Sequence, residues 1–371
     1  MMCYNDKGGK VFYKIFTSFY NNWLLSLGRC VVRLVKRIST LVSVAAVAFG
    51  FATLTSAENT SLRIQTHFTA ESMSGNMVAG FIENVGAMSN DEIKIQMFYG
   101  SAITKAAETF DAAIAGILDC DMTDGSYQTS RDPAFQFSSD LVGLYSTPQE
   151  QMAWLIHGNG YDALNVLYNA HDMEFIGWWI PGPASFSSSK SVGGIADVKD
   201  WRFRSSSGLS NTVFTNLGTS PIVINSNAIP GAIVTGVLDD AYAATLTETS
   251  ELALYDNRNS TNFPGFYSMP TSHLACRKGV WDSMPSNHQA ILKNGMQALA
   301  TKNNAMTKIK KDLTTKILLE NEVYFYKWTE EELYRYRSTV KSSLVEFATT
   351  AAAKTLIKSH VSFLTDLNLL E

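Results

Sequence analysis

Short stretches of the chain alternate apolar and polar residues, a pattern typical of β-strands. In WRFR, residues 201–204, the alternation places the tryptophan and phenylalanine on one face of a predicted strand and both arginines on the other. Residues 62–66 and 93–98 show similar alternation, with a helix predicted between them over about 72–87. The pattern therefore predicts an α/β protein in which strands and helices follow one another.

One eight-residue motif occurs twice, as AAIAGILD at residues 112–119 and AIVTGVLD at residues 232–239. Both copies predict a short helix that ends at a glycine, Gly116 or Gly236, because glycine readily adopts the left-handed conformation that terminates helices. A buried strand is expected directly afterwards. The copies are 120 residues apart, too far for a solenoid, so they favour two similar α/β lobes.

The segment from 197 to 224 predicts a strand, a helix and a second strand. Ser210 is expected to cap the helix, Gly218 to end it, and Pro221 to lead into an apolar strand at 222–224. A unit of this length predicts two parallel strands joined by a crossover.

Two passages rich in proline, glycine and aromatic residues, 175–186 and 262–272, are predicted to cross between the lobes and form a hinge.

The C-terminal third predicts helices: a capping box runs from Thr329 to Glu332, and apolar residues follow at near-helical spacing. The predicted organisation is a signal peptide with an upstream extension at 1–57, lobe I at 58–181 and 270–309, and lobe II with the C-terminal helices at 182–269 and 310–371.

The first 57 residues have the composition of a secretory signal peptide. Basic residues between 33 and 37 precede an apolar run at 38–52, and Thr-Ser-Ala at 55–57 resembles a cleavage site. The alternative is a membrane anchor, but the run is shorter than the roughly 20 residues that span a bilayer. Residues 1–28 precede a complete signal, and an upstream start codon is one interpretation of them. The segment predicts export to the periplasm.

The charge of the predicted mature chain is strongly acidic. The full sequence has 30 Lys and Arg against 34 Asp and Glu, and residues 1–57 contain seven of the basic residues and one acidic residue. The remainder has 23 basic and 33 acidic residues, a net charge near −10. This balance argues against nucleic acid as a partner.

Cys120 and Cys276 are the cysteines that remain after residue 57. A disulfide is one interpretation in an oxidising compartment, but two buried thiols are expected, because both cysteines lie in segments that resemble ends of buried strands. Their spacing matches neither zinc nor iron-sulfur ligation, and no cofactor is predicted.

The sequence contains no familiar catalytic motif, which favours a protein that is not an enzyme. The histidines are scattered singly, and each is expected to be a satisfied surface or core histidine rather than a base or ligand. This expectation applies to His67, His157, His171, His273 and His288.

Arg204 is the candidate for ligand binding. It is predicted at the C-terminal end of a parallel strand, beside a Ser/Gly loop that opens a helix, which is the usual ligand crevice of an open α/β sheet. A guanidinium can bind both oxygens of a carboxylate, and a helix N-terminus adds amide donors. The alternative is that Arg204 pairs with an acidic side chain of the protein.

The sequence resembles the solute-binding subunits of tripartite ATP-independent periplasmic (TRAP) transporters over nearly all of residues 60–320. DVKDWRFR and the later LGTSPIVI and NAIPGAIVTGVLDDA resemble successive signatures of that family. AFQFSSDLVGLYSTPQEQMAWLIHGNGYDALNVLY resembles the branch that binds 2-oxo acids and related monocarboxylates. The resemblance implies a two-lobed periplasmic solute-binding fold with a hinge and a helical C-terminus, which closes on an organic acid held by Arg204.

The same resemblance implies a binding role for Tyr127, which matches an aromatic position lining the site; the alternative is a buried tyrosine bonded to backbone. Two departures weaken the substrate assignment. PGPASFSSS, residues 181–189, stands where the branch has a glutamine. Tyr242, Ala243 and Ser268 stand near the positions that hold a cation in the branch, and without a carboxylate they would hold a hard cation poorly, so no metal is expected.

The sequence therefore predicts an exported, non-enzymatic protein that captures a small organic acid and delivers it to the membrane subunits of a TRAP transporter. An enzyme would need a general base near Arg204, and none is evident. A diverged sensor or scaffold with altered or lost ligand binding is the other alternative. The C-terminal helices could support a homodimer, as in some members of the branch, or simply pack on their own lobe.

Overall fold

The computed structural model describes residues 59–205, 208–224, 228–263, 265 and 268–370. The predicted signal peptide and its upstream extension lie outside these residues. Within the described part of the chain, every helix is either too short or too polar to cross a lipid bilayer.

Strands and helices alternate along most of the described chain. The strands are β1 (Thr60–Thr66), β2 (Ile93–Phe98), β3 (Cys120–Met122), β4 (Met173–Trp179), β5 (Ala184–Ser187), β6 (Arg202–Ser205), β7 (Ser220–Val223), β8 (Asp240–Thr245), β9 (Ser260–Thr261), β10 (Ser272–Arg277) and β11 (Tyr324–Phe325). The α-helices are α1 (Met73–Met88), α2 (Thr109–Ile114), α3 (Pro148–His157), α4 (Gly160–Asn169), α5 (Leu209–Asn216), α6 (Ile229–Val234), α7 (Leu246–Glu251), α8 (Lys278–Ser283), α9 (Ser286–Glu320), α10 (Glu330–Phe347) and α11 (Ala351–Asp366). Short 3-10 helices lie at Ala106–Glu108, Gly125–Gln128, Pro133–Ser138 and Ile195–Val198.

The first sheet has the strand order β2-β1-β3-β10-β4. β1 pairs in parallel with β2 and β3, whereas β10 runs antiparallel to β3 and β4. The strands predicted at 62–66 and 93–98 are confirmed as β1 and β2. The helix predicted between them is confirmed as α1, which begins where the Ser72 hydroxyl accepts a hydrogen bond from the Gly75 amide at 3.0 Å.

The second sheet has the order β5-β8-β6-β7 and repeats this arrangement. β6 pairs in parallel with β7 and β8, and β5 runs antiparallel to β8. The predicted alternation is confirmed, because Trp201 and Phe203 are buried in the core while Arg202 is exposed and Arg204 half-buried on the opposite face. The predicted parallel crossover is confirmed as β6-α5-β7.

The two copies of the repeated motif form the same structure. α2 stops just before Gly116 and α6 just before Gly236, and these glycines have φ angles of 76° and 71°. In each copy the two residues after the glycine donate their amides to the carbonyl of the motif's first alanine. The predicted helix ends are confirmed, with β3 and β8 as the following strands.

Two predicted crossings connect the sheets. Residues 175–186 lead from β4 of the first sheet to β5 of the second, and residues 262–272 lead from β9, which pairs with β11, back to β10 of the first. Helix α9 also spans both parts, because its length of about 50 Å lets it pack against α1 and β4 as well as α7. The predicted boundary after residue 309 falls inside α9, and the lobe boundaries stay a prediction.

Cys120 and Cys276 form a disulfide, so the prediction of two buried thiols is wrong. The return crossing places β10 beside β3, and the two cysteines then face each other directly in the antiparallel pair. The sequence left this disulfide open as one interpretation but did not favour it, because the cysteines are 156 residues apart and become neighbours only through the sheet order.

Two predicted helix caps differ from those in the structure. α5 begins at Leu209, one residue before Ser210, whose hydroxyl instead contacts the Ser205 hydroxyl at 3.0 Å. At α10 the Thr329 hydroxyl accepts from the Glu332 amide as predicted. The Glu332 carboxylate, however, accepts from the Ile195 amide, which makes it a tie to a distant loop.

The C-terminal helices pack within the chain. α10 lies against α5, and α11 lies against α4 and the Pro133–Ser138 helix. The predicted apolar face of α10 is buried at Leu333, Val340 and Leu344 and half-buried at Phe347. These contacts belong to a large apolar cluster that contains side chains from both sheets.

Candidate functional site

Arg204 lies at the end of β6, beside the end of β7. Its Nε donates to the Ile224 carbonyl and its Nη1 to the Tyr242 carbonyl, both at 3.2 Å. These acceptors come from the chain segments on either side of β6, so they orient the plane of the guanidinium. Burial lowers the pKa of Arg204, whereas Tyr127 and Tyr242 raise it. An arginine remains charged at neutral pH even when its pKa is lowered somewhat.

Arg202, two residues earlier on the same face, makes the ion pair that was the alternative for Arg204. Its Nη2 lies 2.7 Å from Asp239 Oδ1, and its Nε also donates to that carboxylate. The structure therefore separates the two arginines. Arg202 joins β6 to the start of β8 at an exposed position, and Arg204 points its guanidinium to the other end of the sheet.

Tyr127 lies in the 3-10 helix Gly125–Gln128, which follows β3 of the first sheet. The helix begins where the Asp124 carboxylate accepts a hydrogen bond from the Ser126 amide at 2.8 Å. Burial raises the pKa of Tyr127 to about 12, with a further rise from Asp124 and an opposing effect of Arg204. Arg204 and Tyr127 thus influence each other's pKa, and the Tyr127 phenol is protonated at neutral pH.

The helix N-terminus beside Arg204 differs from expectation. The amide of Leu209, the first residue of α5, donates to Gln136 Oε1 at 2.9 Å. Gly208 has a φ of 74°, and a Cβ at this position would lie 2.1 Å from the same oxygen. The prediction of open amide donors is therefore wrong for Leu209, because a glutamine from the Pro133–Ser138 helix already fills that position. Nothing local in the sequence indicated this contact.

Asp140 is a half-buried acid near the return crossing. It accepts hydrogen bonds from the Val142 amide at 2.7 Å, the Met269 amide at 3.0 Å and the Ser268 hydroxyl. Burial raises the pKa of Asp140 to about 6, against the opposing effect of these donors. Ser268, one of the positions compared with the family's cation site, therefore directs its hydroxyl to a carboxylate of the protein.

Within the part of the chain that the structure describes, no group of three or more His, Cys, Asp or Glu side chains is arranged to hold a metal ion. Tyr242, at another of the compared positions, packs its ring against Phe186 and Phe214 at centroid distances of 5.5 and 5.9 Å. Its backbone carbonyl accepts a hydrogen bond from Arg204 Nη1.

His273 is a satisfied core histidine, as expected from the sequence. Its Nε2 lies 3.0 Å from Asp121 Oδ2 and its Nδ1 2.8 Å from the Tyr168 hydroxyl, and all three side chains are buried. His288 similarly contacts Thr60 and Glu92. These partners are distant in sequence, so both histidines join elements of the first sheet and its surroundings.

His67 does not fit that expectation. It directly follows β1, and its Nδ1 is fully covered without a hydrogen-bond partner among the described residues. Its ring meets the Tyr127 ring edge-on at a centroid distance of 6.0 Å. Burial lowers the pKa of His67, while Asp124 and Asp121 act in the opposite direction. The unpaired Nδ1 is therefore a polar atom close to Tyr127, and no sequence pattern pointed to it.

The amino-acid sequence matches a known protein family and is similar to a characterised periplasmic protein. The family model described as bacterial extracellular solute-binding protein, family 7 (DctP), matches residues 65–350. The monocarboxylate 2-oxoacid-binding periplasmic protein of Nostoc sp. is 25% identical over 240 residues, which cover 64% of this chain. The match spans 65% of that relative, slightly less than two-thirds of its length.

Solved structures show the same fold. A TRAP periplasmic solute-binding protein from Rhodobacter sphaeroides, in an apo open form, superposes with a TM-score of 0.73 at 24% identity over 84% of this chain and 99% of its own. A TRAP periplasmic solute-binding protein from Rhodoferax ferrireducens, with bound malonate, superposes with a TM-score of 0.74 at 17% identity. The match covers 84% of this chain and 100% of that structure. The predicted two-lobed α/β fold with a helical C-terminus is therefore confirmed.

Proposed function

Because this chain belongs to the bacterial extracellular solute-binding proteins of family 7, we propose that it captures a 2-oxo acid or another small monocarboxylate and delivers it to the membrane subunits of a TRAP transporter. The predicted family resemblance is confirmed by the membership. A family of solute-binding proteins also agrees with the expectation that the chain is not an enzyme. Capture takes place outside the cytoplasm, in the periplasm, after export by the N-terminal signal peptide.

The observation that supports a carboxylate ligand most directly is the orientation of Arg204. Backbone carbonyls hold its guanidinium at the end of β6, and the protonated Tyr127 phenol lies close enough to influence its pKa. A planar guanidinium binds both oxygens of a carboxylate in a fixed geometry, and a phenol can donate a further hydrogen bond. One cation with an adjacent neutral donor suits a monocarboxylate.

The position of these groups supports capture by lobe closure. Arg204 belongs to the second sheet and Tyr127 follows a strand of the first, so a carboxylate bound to both would join the two parts of the molecule. In a protein with an acidic net charge, such a half-buried cation also provides selectivity for anions. The Nostoc relative, named for monocarboxylate 2-oxoacids, is the basis for the class of acid.

One observation favours the alternative of a diverged sensor or scaffold that has lost its ligand. The Leu209 amide, which could have bound a carboxylate beside Arg204, is bonded to Gln136. In that case the protein would provide its own acceptor where a solute would otherwise bind. Native mass spectrometry of protein purified from its own periplasm tests this, because a retained acid supports capture and an empty protein supports the alternative.

The decisive variant is Arg204→Ala. Loss of a bidentate, charge-assisted pair should weaken binding of 2-oxobutanoate at least about 100-fold, measured by isothermal titration calorimetry. Arg202→Ala is the matched control, since it removes an arginine from the same strand face but disrupts only the exposed pair with Asp239. Equal affinity of wild type and Arg204→Ala would overturn the proposed site, while similar losses in both variants would indicate damage to β6.

A further inference from the structure

We infer that His67 is a specificity residue that recognises the oxygen on the second carbon of the captured acid, an inference that rests on the proposed function. A 2-oxo acid presents two recognition features, a carboxylate and an adjacent carbonyl oxygen. Arg204 accounts for the first. The second requires a nearby hydrogen-bond donor that the protein does not already use.

The backbone holds His67 firmly directly after the end of β1. The preceding carbonyl, of Thr66, accepts from the Ser101 amide at 3.2 Å, and the following one, of Phe68, accepts from the Gly100 amide at 2.8 Å. These bonds fix the chain on both sides of the histidine. A side chain presented from such a segment keeps its position when a ligand enters.

The neighbours of His67 place it near the proposed carboxylate site. Its ring meets Tyr127 edge-on, and Tyr127 lies close enough to Arg204 for each to influence the pKa of the other. On its other side His67 contacts Phe68 at a centroid distance of 4.0 Å, and Phe68 in turn packs on Trp179 at 5.5 Å. The imidazole thus lies between a polar region and an aromatic wall that suits a short aliphatic chain.

The hydrogen-bonding state of His67 suits an oxygen ligand. Nδ1 is covered and lacks a partner among the described residues, which is unfavourable for a polar atom unless a ligand completes it. Burial keeps the imidazole neutral by lowering its pKa, so it can carry a proton on one nitrogen. With the proton on Nδ1, His67 donates to a carbonyl oxygen; with the proton on Nε2, Nδ1 accepts from a hydroxyl.

The first test compares two acids of equal length, 2-oxobutanoate and butanoate, by calorimetry. The wild type should bind 2-oxobutanoate about tenfold more tightly, the difference expected for one hydrogen bond in a buried site. His67→Phe removes both nitrogens and should bring the ratio of the two dissociation constants close to one. His67→Gln retains a donor and an acceptor, and should restore part of the preference.

His157→Gln is the control for histidine replacement, because His157 is exposed at the end of α3. A His67→Phe protein that keeps the wild-type ratio, or loses affinity equally for both acids, would overturn the role of His67 while leaving the proposed function standing. A wild type without preference between the acids would also overturn it. A wild type that binds neither acid, or an Arg204→Ala protein that binds normally, would instead refute the proposed function.

Discussion

The two sheets are built on one frame but use equivalent positions differently. Arg63 on β1 and Arg202 on β6 bond to Asp119 and Asp239 with the same pattern, in which the amide and Nε donate to one carboxylate oxygen and Nη2 to the other. In addition, the backbone carbonyl of each arginine accepts a hydrogen bond from the backbone amide of the aspartate with which it is paired. The repeated Gly-x-Leu-Asp motif thus ties the central strands together in each sheet.

Two residues further along, the sheets diverge. β1 has Gln65, whose amide group donates to Thr104 O and Thr109 Oγ1 and accepts from the Ile103 and Thr104 amides. β6 has Arg204 at the equivalent position. The amide group of Gln65 holds a loop beside the first sheet, whereas the guanidinium of Arg204 donates to backbone carbonyls at the end of β6. Equivalent strand positions in the two sheets therefore have different roles: Gln65 stabilises the fold, and Arg204 is the proposed ligand-binding residue.

The sheets also differ in how the antiparallel strand is attached. In the first, Cys120 on β3 is bonded covalently to Cys276 on β10. In the second, the equivalent residue is Asp240 on β8, which accepts from the Ser189 amide at 2.9 Å and contacts the Ser188 hydroxyl at 3.2 Å, just after β5. A covalent joint and a polar joint therefore occupy matching positions.

Removing the covalent joint should have the largest effect. Replacement of both cysteines by alanine should lower the free energy of unfolding by about 4 kcal/mol, since the disulfide closes a long loop in the unfolded chain. Guanidinium denaturation measures the change. Ser188→Ala, which removes one hydroxyl contact of the polar joint in the second sheet, should cost less. An unchanged unfolding free energy in the cysteine variant would show that the sheet does not depend on this joint.

A new acidic side chain beside Arg204 should have the second largest effect, in this case on ligand affinity. Ala241 is the β8 neighbour of Arg204 in the ladder, at the position equivalent to Asp121 in the first sheet. The carboxylate of Ala241→Asp would compete for the guanidinium and repel the ligand, so affinity for 2-oxobutanoate should fall about 100-fold. Ala241→Asn is the neutral control. Similar calorimetric losses in both variants would indicate a steric effect rather than competition for Arg204.

Gln65→Leu should have a smaller effect, and on folding rather than on recognition. It leaves the partners of Gln65 in the loop and at Thr109 without their hydrogen bonds, which should lower the unfolding free energy by about 2 kcal/mol. Gln96→Leu on the edge strand β2 is the control, because Gln96 is exposed. Denaturation curves measure the change in stability and calorimetry measures the change in ligand affinity, so the two methods on the same samples distinguish a folding role from a recognition role. If Gln65→Leu greatly weakened ligand binding without lowering stability, the structural role assigned to Gln65 would be wrong.

The features that the sequence predicted well are those set by local chemistry. Alternation in residues 201–204 was enough to place Arg204 opposite the core, and Gly116 and Gly236 marked the helix ends through their permissive φ angles. Family resemblance contributed the overall fold and the proposed importance of Arg204.

The features it missed depend on segments that meet only in the folded chain. Gln136 reaches the Leu209 amide across 73 positions of sequence, and the disulfide depends on the return of the chain to the first sheet. His67 resembled any isolated histidine until the packing around its Nδ1 was known. Ser210 shows a different limit, because a capping residue type was present one residue inside the helix.

The smallest expected effect concerns Tyr127, the contribution of the first part of the molecule to the proposed carboxylate site. Because burial raises the pKa of Tyr127 to about 12, its hydroxyl is a hydrogen-bond donor throughout the neutral pH range. Tyr127→Phe keeps the ring against His67 and removes that donor, so affinity for 2-oxobutanoate should fall about fivefold, near 1 kcal/mol. Tyr324→Phe, an exposed tyrosine on β11, is the control. An unaltered dissociation constant for Tyr127→Phe would place the phenol outside the site and leave recognition to the second sheet and His67.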